Sequence, residues 1–254
     1  MMTENMMEPL FGGKYDYDNL RDLDVITKAK PLLDSGQFYI RPDGRIAPNH
    51  TDRMGYDVPW IYVRPSAERR CWLWHKVYFP LYKIVYSECQ NNCWKVVVRP
   101  KTIIDLFKLY EYQVYHTERY CKCGIEQRDT VNGLYGGYFY NDSKESGEEC
   151  RDAIRRDMDK ILSPGTPVYL KRACTEFEAE WGDSREWEIS EDQKELEKTL
   201  DATFVQDVLN LTPTKHARAF VMLKWLHWAC SHGDETYLHF TGGVPLTPKI
   251  IKYE

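Results

Sequence analysis

Cys89-Gln-Asn-Asn-Cys93, followed at once by Trp94-Lys-Val-Val-Val-Arg-Pro100, opens the most strongly patterned stretch of the chain, which runs to Phe177. The β-branched run from Trp94 to Arg99, closed by Pro100, predicts a strand. Thr102 stands three residues before Asp105 and predicts a helix start, because its hydroxyl can accept an N–H of the first turn. Ile103, Phe107, Tyr110 and Val114 then recur at helical spacing. Cys121 to Gln127 predicts a short strand and Leu134 to Tyr140 another. Between them Val131-Asn-Gly133 predicts a turn, since Asn-Gly tolerates positive φ. Ser146-Gly-Glu-Glu149 has the form of a capping box. Cys150, Ile154, Met158, Ile161 and Leu162 follow as a helical face, stopped by Pro164-Gly165. Thr166 to Phe177 supplies the last strand.

The order strand, helix, strand, strand, helix, strand over about residues 93–178 predicts an α+β fold with a ferredoxin-like βαββαβ core. Right-handed crossovers place the four strands in the order 4-1-3-2 with all neighbours antiparallel. Residues 1–88 predict a loop-rich extension. It carries a hairpin at Gln37–Arg41, Pro42-Asp-Gly44 and Arg45–Ala47, and a short strand at Pro59–Arg64. The aromatic segment Cys71–Tyr86 is interrupted by Pro80 and is expected to form two short elements that cover apolar surface of the central sheet.

After the core, Ser190-Glu-Asp-Gln193 caps a helix with Leu196, Leu200, Phe204 and Val208 spaced by four. Thr212-Pro213 starts a second helix that passes through Phe220, Leu223, Trp225, Leu226 and Trp228 to Gly233. Apolar on most sides, it is expected to be buried. An extended tail follows from Tyr237. The segments 1–88, 89–180 and 181–254 are expected to form one composite domain, with the C-terminal helical pair packed on the core.

Aromatic residues make up 14% of the 254 residues, with 18 Tyr and 8 Trp, which points to a packed core and an adhesive surface. A net charge of -5 excludes a grip on nucleic acid through overall charge and leaves a local basic face as the route. Met1–Glu8 lacks the basic and apolar regions of a signal peptide, and no apolar run reaches the ~18 residues of a membrane span. The expectation is a cytoplasmic protein. Its 8 Cys then read as thiols or metal ligands ahead of disulfides.

The expected topology gathers cysteines at one sheet edge. Cys93 begins the first strand with Cys89 just before it. Cys121 and Cys123 begin the second strand, Cys174 lies late in the fourth, and Cys150 lies in the first turn of the second helix. Cys89, Cys93, Cys121, Cys123 and Cys174 are thus candidate ligands of a structural zinc, with an iron–sulfur cluster as the alternative occupant. Inert buried thiols are the plainer reading. Cys89-x₃-Cys93 resembles the first half of the radical S-adenosylmethionine signature. The third cysteine of that signature would fall at Val96, which removes the option.

Tyr135-Gly-Gly-Tyr-Phe-Tyr140 resembles the RNP1 segment of RNA-recognition motifs, on a third strand of this same topology, without its basic-Gly start. The resemblance implies a surface on which Tyr138, Phe139 and Tyr140 meet bases, with Arg155 and Arg156 as basic groups. The competing reading is that Gly136 and Gly137 permit close packing and that Tyr138 and Phe139 are core. His227-x₂-Cys230-x-His232 has metal-like residues at the end of an apolar helix. His75 and His116 are acid–base candidates. The chain has no Gly-rich phosphate loop, no Gly-x-Ser-x-Gly and no His-Glu-x-x-His.

These features predict a non-catalytic binding protein with a metal-stabilised core that engages a protein complex or nucleic acid. The profile suits a virus- or phage-encoded inhibitor of a host defence system. The alternatives are an RNA-binding or RNA-processing protein that uses the sheet, and an iron–sulfur redox protein.

Overall fold

The structure, a computed structural model, describes residues 25–49, 59–64, 73–82, 88–205 and 215–247. Residues 1–24, Cys71, Val208, the Thr212-Pro213 helix start and the chain beyond 247 lie outside the described residues. In order the elements are α1 (Val25–Asp34), β1 (Phe38–Ile40), β2 (Ile46–Pro48), β3 (Trp60–Arg64), a π-helical turn (Trp74–Tyr78) running into α2 (Phe79–Tyr82), and α3 (Glu88–Asn91). Then come β4 (Trp94–Val98), α4 (Ile103–Tyr115), β5 (Cys121–Ile125), β6 (Tyr135–Asn141), α5 (Lys144–Ile161), β7 (Val168–Arg172) and α6 (Thr175–Trp181). A 3-10 turn (Ser184–Glu186), α7 (Glu191–Thr203), α8 (Lys215–Ser231) and a second 3-10 segment (Glu235–Phe240) are the last of the described elements. They fall into two compact units, each assembled from separated segments: residues 1–53, 67–93 and 172–209 in the first, and residues 54–66, 94–171 and 210–254 in the second.

The second unit is mixed α/β. Its five-stranded antiparallel sheet has the order β3-β5-β6-β4-β7. At β4 and β7, the Arg99 N–H donates to the Pro167 carbonyl (3.0 Å) and the Ala173 N–H to the Cys93 carbonyl (2.9 Å), so the start of one strand lies beside the end of the other. β3 is the correction to the four-stranded sheet expected from the sequence. It pairs with β5, and the order of the whole sheet is therefore not that of a four-stranded ferredoxin-like sheet. The reason lies in two residue choices. Ile61 and Val63 alternate inward into the core. Gly124 has no side chain where a Cβ would stand 2.2 Å from the Pro59 carbonyl oxygen, so the β3 backbone can approach.

α4 begins as its sequence predicts, with the Thr102 hydroxyl accepting the Asp105 N–H at 3.1 Å. Its deepest face differs from the expected one. Ile103, Leu106, Leu109 and Gln113 are buried, and Leu109 lies over Gly137, where a Cβ would come within 2.3 Å of its Cδ2. Phe107 and Tyr110 instead meet Trp225 of α8, with ring centroids 5.7 and 6.3 Å away. The helix packs on two sides, and a single stripe could not describe it. α5 starts earlier than expected: Ser143, not Ser146, is its cap and accepts the Ser146 N–H at 3.1 Å. This moves Cys150 out of the first turn. β7 stops at Arg172, since Ala173 takes φ 55 and Cys174 becomes the N-cap of α6. α8 buries only Val221, Trp225 and Ala229 among its described residues. Phe220 and Leu223 are 57% and 53% exposed, so the expectation of an all-round buried helix fails. The expected extended tail begins as a 3-10 segment.

The first unit has its own core of Ala29, Phe38, Ile46, Leu73, Trp74, Val77, Tyr78, Tyr82, Leu200 and Phe204. The β1–β2 hairpin turns through Gly44 at φ 81, as Asp-Gly predicts. The aromatic segment expected on the central sheet belongs here instead. Phe204, the C-cap of α7, receives the edges of Phe38, Tyr78 and Tyr82 at 6.0 to 6.4 Å. The two short elements expected there are present, but Pro80 lies inside the second and is not the boundary between them. The Phe79 N–H reaches back five residues to the Trp74 carbonyl, and this widened turn continues into a helical turn containing the proline.

Candidate binding face on the sheet

Alternation along each strand of the second unit sorts its residues onto two faces. Ile61, Val63, Val96, Val98, Cys121, Cys123, Ile125, Tyr135 and Phe139 share one core with residues of α4, α5 and α8. The opposite face is read from the register. Tyr62 pairs with Lys122, Lys122 with Tyr138, and Tyr138 with Val97, so these four form a row across β3, β5, β6 and β4. Trp60 and Gly124 lie in the next row.

Lys122 is the centre of this face. Its ammonium lies 4.6 Å from the Trp60 ring centroid, 5.1 Å from Tyr62 and 5.5 Å from Tyr138. Such cation–π contacts favour a lysine held among rings over one free in water. Trp60 and Tyr138 also pack on each other at 5.5 Å. Gly136 makes the row possible, because a Cβ there would stand 2.8 Å from Arg99 Nη1 and 3.2 Å from Trp60.

A buried ion cluster fixes Tyr138 from beside. The Glu126 side chain is 1% exposed and lies 2.6 Å from Arg128 Nη2 and 3.2 Å from Arg99 Nη1. Arg128 donates to the Tyr138 hydroxyl oxygen at 2.8 Å, and that hydroxyl donates to Glu126 at 3.1 Å. Burial alone would push the Glu126 carboxyl up. Hydrogen bonds and charge from Arg128, then Arg99, outweigh it and hold the group down at about 2. Within this cluster and row, the one carboxylate of Glu126 is met by Arg99 and Arg128, and Lys122 adds a further positive charge.

The face is open towards its edges and closed in the middle. Tyr62 and Tyr120 are 42% and 39% exposed, whereas Tyr138 is 5% and Val97 0% exposed. The open half with two such rings lies over β3 and β5. Tyr169 of β7, 3.4 Å from Arg99 Nε, is exposed at the opposite edge.

The residues expected from the sequence divide accordingly. Tyr138 and Tyr140 point to this face. Phe139 is fully buried on the other, in ring contact with Tyr112 of α4 at 6.2 Å. Arg155 and Arg156 belong to α5, the helix whose Ile154 and Met158 join the core beneath the opposite face. Arg155 is engaged by the Thr166 carbonyl and by Asp159. Trp60, Tyr62, Lys122, Glu126 and Arg128 were not singled out by sequence reasoning as a site. The signal was present in the alternation of Trp60-Ile-Tyr-Val-Arg64 and in the lysine between Cys121 and Cys123.

The cysteines are dispersed. Cys121 and Cys123 point into the apolar core, where burial pushes the Cys121 thiol up to about 12 and the Cys123 thiol well above its usual value. Cys93 is buried just before β4, and Cys174 is half-buried at the start of α6. β6 lies between β4 and β5, a backbone separation of about 10 Å. Cys89 is on α3, and its side chain lies outside the described ones. Among the described residues no group of three or more His, Cys, Asp or Glu is placed to hold a metal ion. His232 stacks on Trp228 at 3.8 Å with Nδ1 2.9 Å from the Trp228 carbonyl oxygen. His75 stacks on Phe177 and His116 on Tyr112.

The fold and this face define a mixed α/β protein with an aromatic and cationic patch on half of one sheet face. No described helix is long and apolar enough to cross a membrane. Searches against protein-family models, curated proteins and solved structures find no significant match.

Proposed function

We propose that this chain is a binding protein that takes single-stranded nucleic acid on the open half of the sheet face. The observation that carries the reading is the Lys122 ammonium set among Trp60, Tyr62 and Tyr138. Rings offer stacking area to any base, at about 1–3 kcal/mol per base, and a cation beside them meets the phosphate between bases. A duplex keeps its base faces stacked inside and has none to offer such a surface, so unpaired strands are the ligand class. The chain's net charge of -5 makes the grip local. Few phosphates are then neutralised, and the salt dependence is shallow.

The unit that carries the face reads as a ferredoxin-like core with one added edge strand. In support, β7, β4, β6 and β5 are consecutive neighbours, with β3 outside them. The reading makes no use of zinc or an iron–sulfur cluster, because the described cysteines stand apart.

The test is fluorescence anisotropy with a labelled single-stranded oligonucleotide at low salt. Tyr62→Ala and Lys122→Ala are each expected to weaken binding about tenfold. Binding that is unchanged in both variants, or no saturable binding by the unaltered chain, would overturn the proposal.

A further inference from the structure

Tyr120 stands two residues before Lys122 and, by strand alternation, on the same face of the sheet. Its carbonyl accepts the Tyr140 N–H at 2.9 Å, which extends the β5–β6 ladder by one residue and fixes the backbone there. The ring is 39% exposed, and neither ring nor hydroxyl makes a hydrogen bond or ring contact among the described residues. Lys122 thus has an exposed tyrosine on two sides. Tyr62 lies across the strand pair and Tyr120 along its own strand.

A break in register takes Arg64 away from the second ring. β3 and β5 pair Tyr62 with Lys122, and an unbroken ladder would bring Arg64 opposite Tyr120. The register instead shifts between Tyr62 and Arg64, so that Arg64 meets Cys121. Its guanidinium donates to the Val114 and Thr117 carbonyls at the end of α4, the helix packed on the core face, and reaches Glu118 at 3.2 Å. A bulge of this kind re-aims a side chain. Here it draws a long basic side chain from the place beside Tyr120 and uses it to close the end of a helix.

We propose that this half-face takes its ligand as an unstacked dinucleotide step and so favours pyrimidine-rich single strands. The inference rests on the reading of the face as a single-strand site and names its minimal ligand. In antiparallel strands, residues diagonal to each other, as Tyr62 and Tyr120 are, stand about 7–8 Å apart. Successive bases stacked in one strand are about 3.4 Å apart. Two neighbouring bases that stay stacked together cannot each cover one of these rings. They part, one onto Tyr62 and the next onto Tyr120. The phosphate that joins them falls beside Lys122, whose ammonium lies 5.1 Å from the Tyr62 centroid. Parting two adenines forfeits more stacking than parting two thymines, so the preference arises from the ligand's own stacking strength.

The test is anisotropy of the full chain with labelled hexathymidylate at low salt, read against unlabelled competitors. The dinucleotide TpT is expected to compete about tenfold better than thymidine monophosphate, because it adds one stacked base. Hexathymidylate is expected to bind about threefold or more tighter than hexaadenylate. Tyr120→Ala is expected to weaken hexathymidylate about tenfold and to abolish the advantage of TpT over the monophosphate. Its melting temperature should stay that of the unaltered chain, since the ring is exposed. Tyr120→Phe, which keeps the ring, is expected to restore what Tyr120→Ala loses. Hexathymidylate binding that Tyr62→Ala weakens and Tyr120→Ala leaves intact would overturn the dinucleotide step and leave the single-strand site standing. Equal or tighter binding of hexaadenylate would overturn it likewise. No saturable binding of any oligonucleotide by the unaltered chain would overturn both.

Discussion

Asp234 Oδ2 accepts the Tyr135 hydroxyl at 2.6 Å and, at the same distance, the backbone N–H of Ile103, the first residue of α4. Its Oδ1 receives the Thr236 N–H and hydroxyl. A carboxylate just after α8 thus caps a helix 131 residues earlier in the chain and anchors a central strand. Burial, together with the Asp234 carboxylate, pushes the Tyr135 hydroxyl well above its usual value. Asp234→Ala strips the cap and leaves a buried hydroxyl unpaired. It is expected to cost about 3 kcal/mol in urea unfolding. Tyr135→Phe removes the hydroxyl along with its need for a partner and is expected to cost about 1 kcal/mol. Equal losses for the two would show that Asp234 does not cap α4.

Stability in acid should carry the mark of Glu126. Its folded value, about 2, lies below that of an unfolded glutamate. Such a group stabilises the fold above the unfolded value, and the contribution is lost as pH falls from about 4.3 towards 2. Thermal melting of the unaltered chain is expected to fall over that window. Glu126→Gln should flatten the fall while lowering stability at pH 7, because Arg99 and Arg128 lose their partner.

Glycine positions should rank by what an added Cβ would strike. Gly124→Ala puts it 2.2 Å from the Pro59 carbonyl oxygen, a backbone atom that also accepts Ile125 N–H and Trp225 Nε1. Gly137→Ala meets the Leu109 side chain, which can turn at the cost of repacking. Gly124→Ala is expected to cost more than about 3 kcal/mol and Gly137→Ala about 1–3 kcal/mol by denaturant titration. The reverse order would refute the close approach of β3.

Stability and binding should separate along β3 and β6. Phe139→Ala empties a fully buried position and is expected to cost about 3–5 kcal/mol. Tyr62→Ala, at an exposed edge position, is expected to change stability by less than about 1 kcal/mol while weakening oligonucleotide binding about tenfold. Paired melting and anisotropy measurements check both.

The thiols offer a further measurement. Cys121, Cys123 and Cys150 are buried, with protonation favoured by that burial. They are expected to resist alkylation until the protein unfolds, whereas the half-buried Cys174 and Cys230 react earlier. Early reaction of Cys123 would contradict its placement in the core.

Sequence alone determined the local elements of the centre. The β-branched run at Trp94–Arg99, the Thr102 cap and the Ser190 cap are decided by neighbours within a few residues, and each appears in the structure. The Ser143 cap was misplaced by three residues because two serines of similar surroundings compete there. The candidate site was legible in part, as Tyr138 and Tyr140 on one strand. The tertiary structure alone decided that Trp60 and Tyr62 come from a segment over 50 residues before Lys122 to complete the patch. That depends on Ile61 and Val63 finding a core and on Gly124 admitting the strand, and no local pattern encodes either. The same holds for the cysteines: their spacing suggested one edge, but the alternation of β5 turned Cys121 and Cys123 inward and set Lys122 among the rings. Local chemistry fixes which way successive side chains alternate, whereas only packing between distant segments fixes what each face meets.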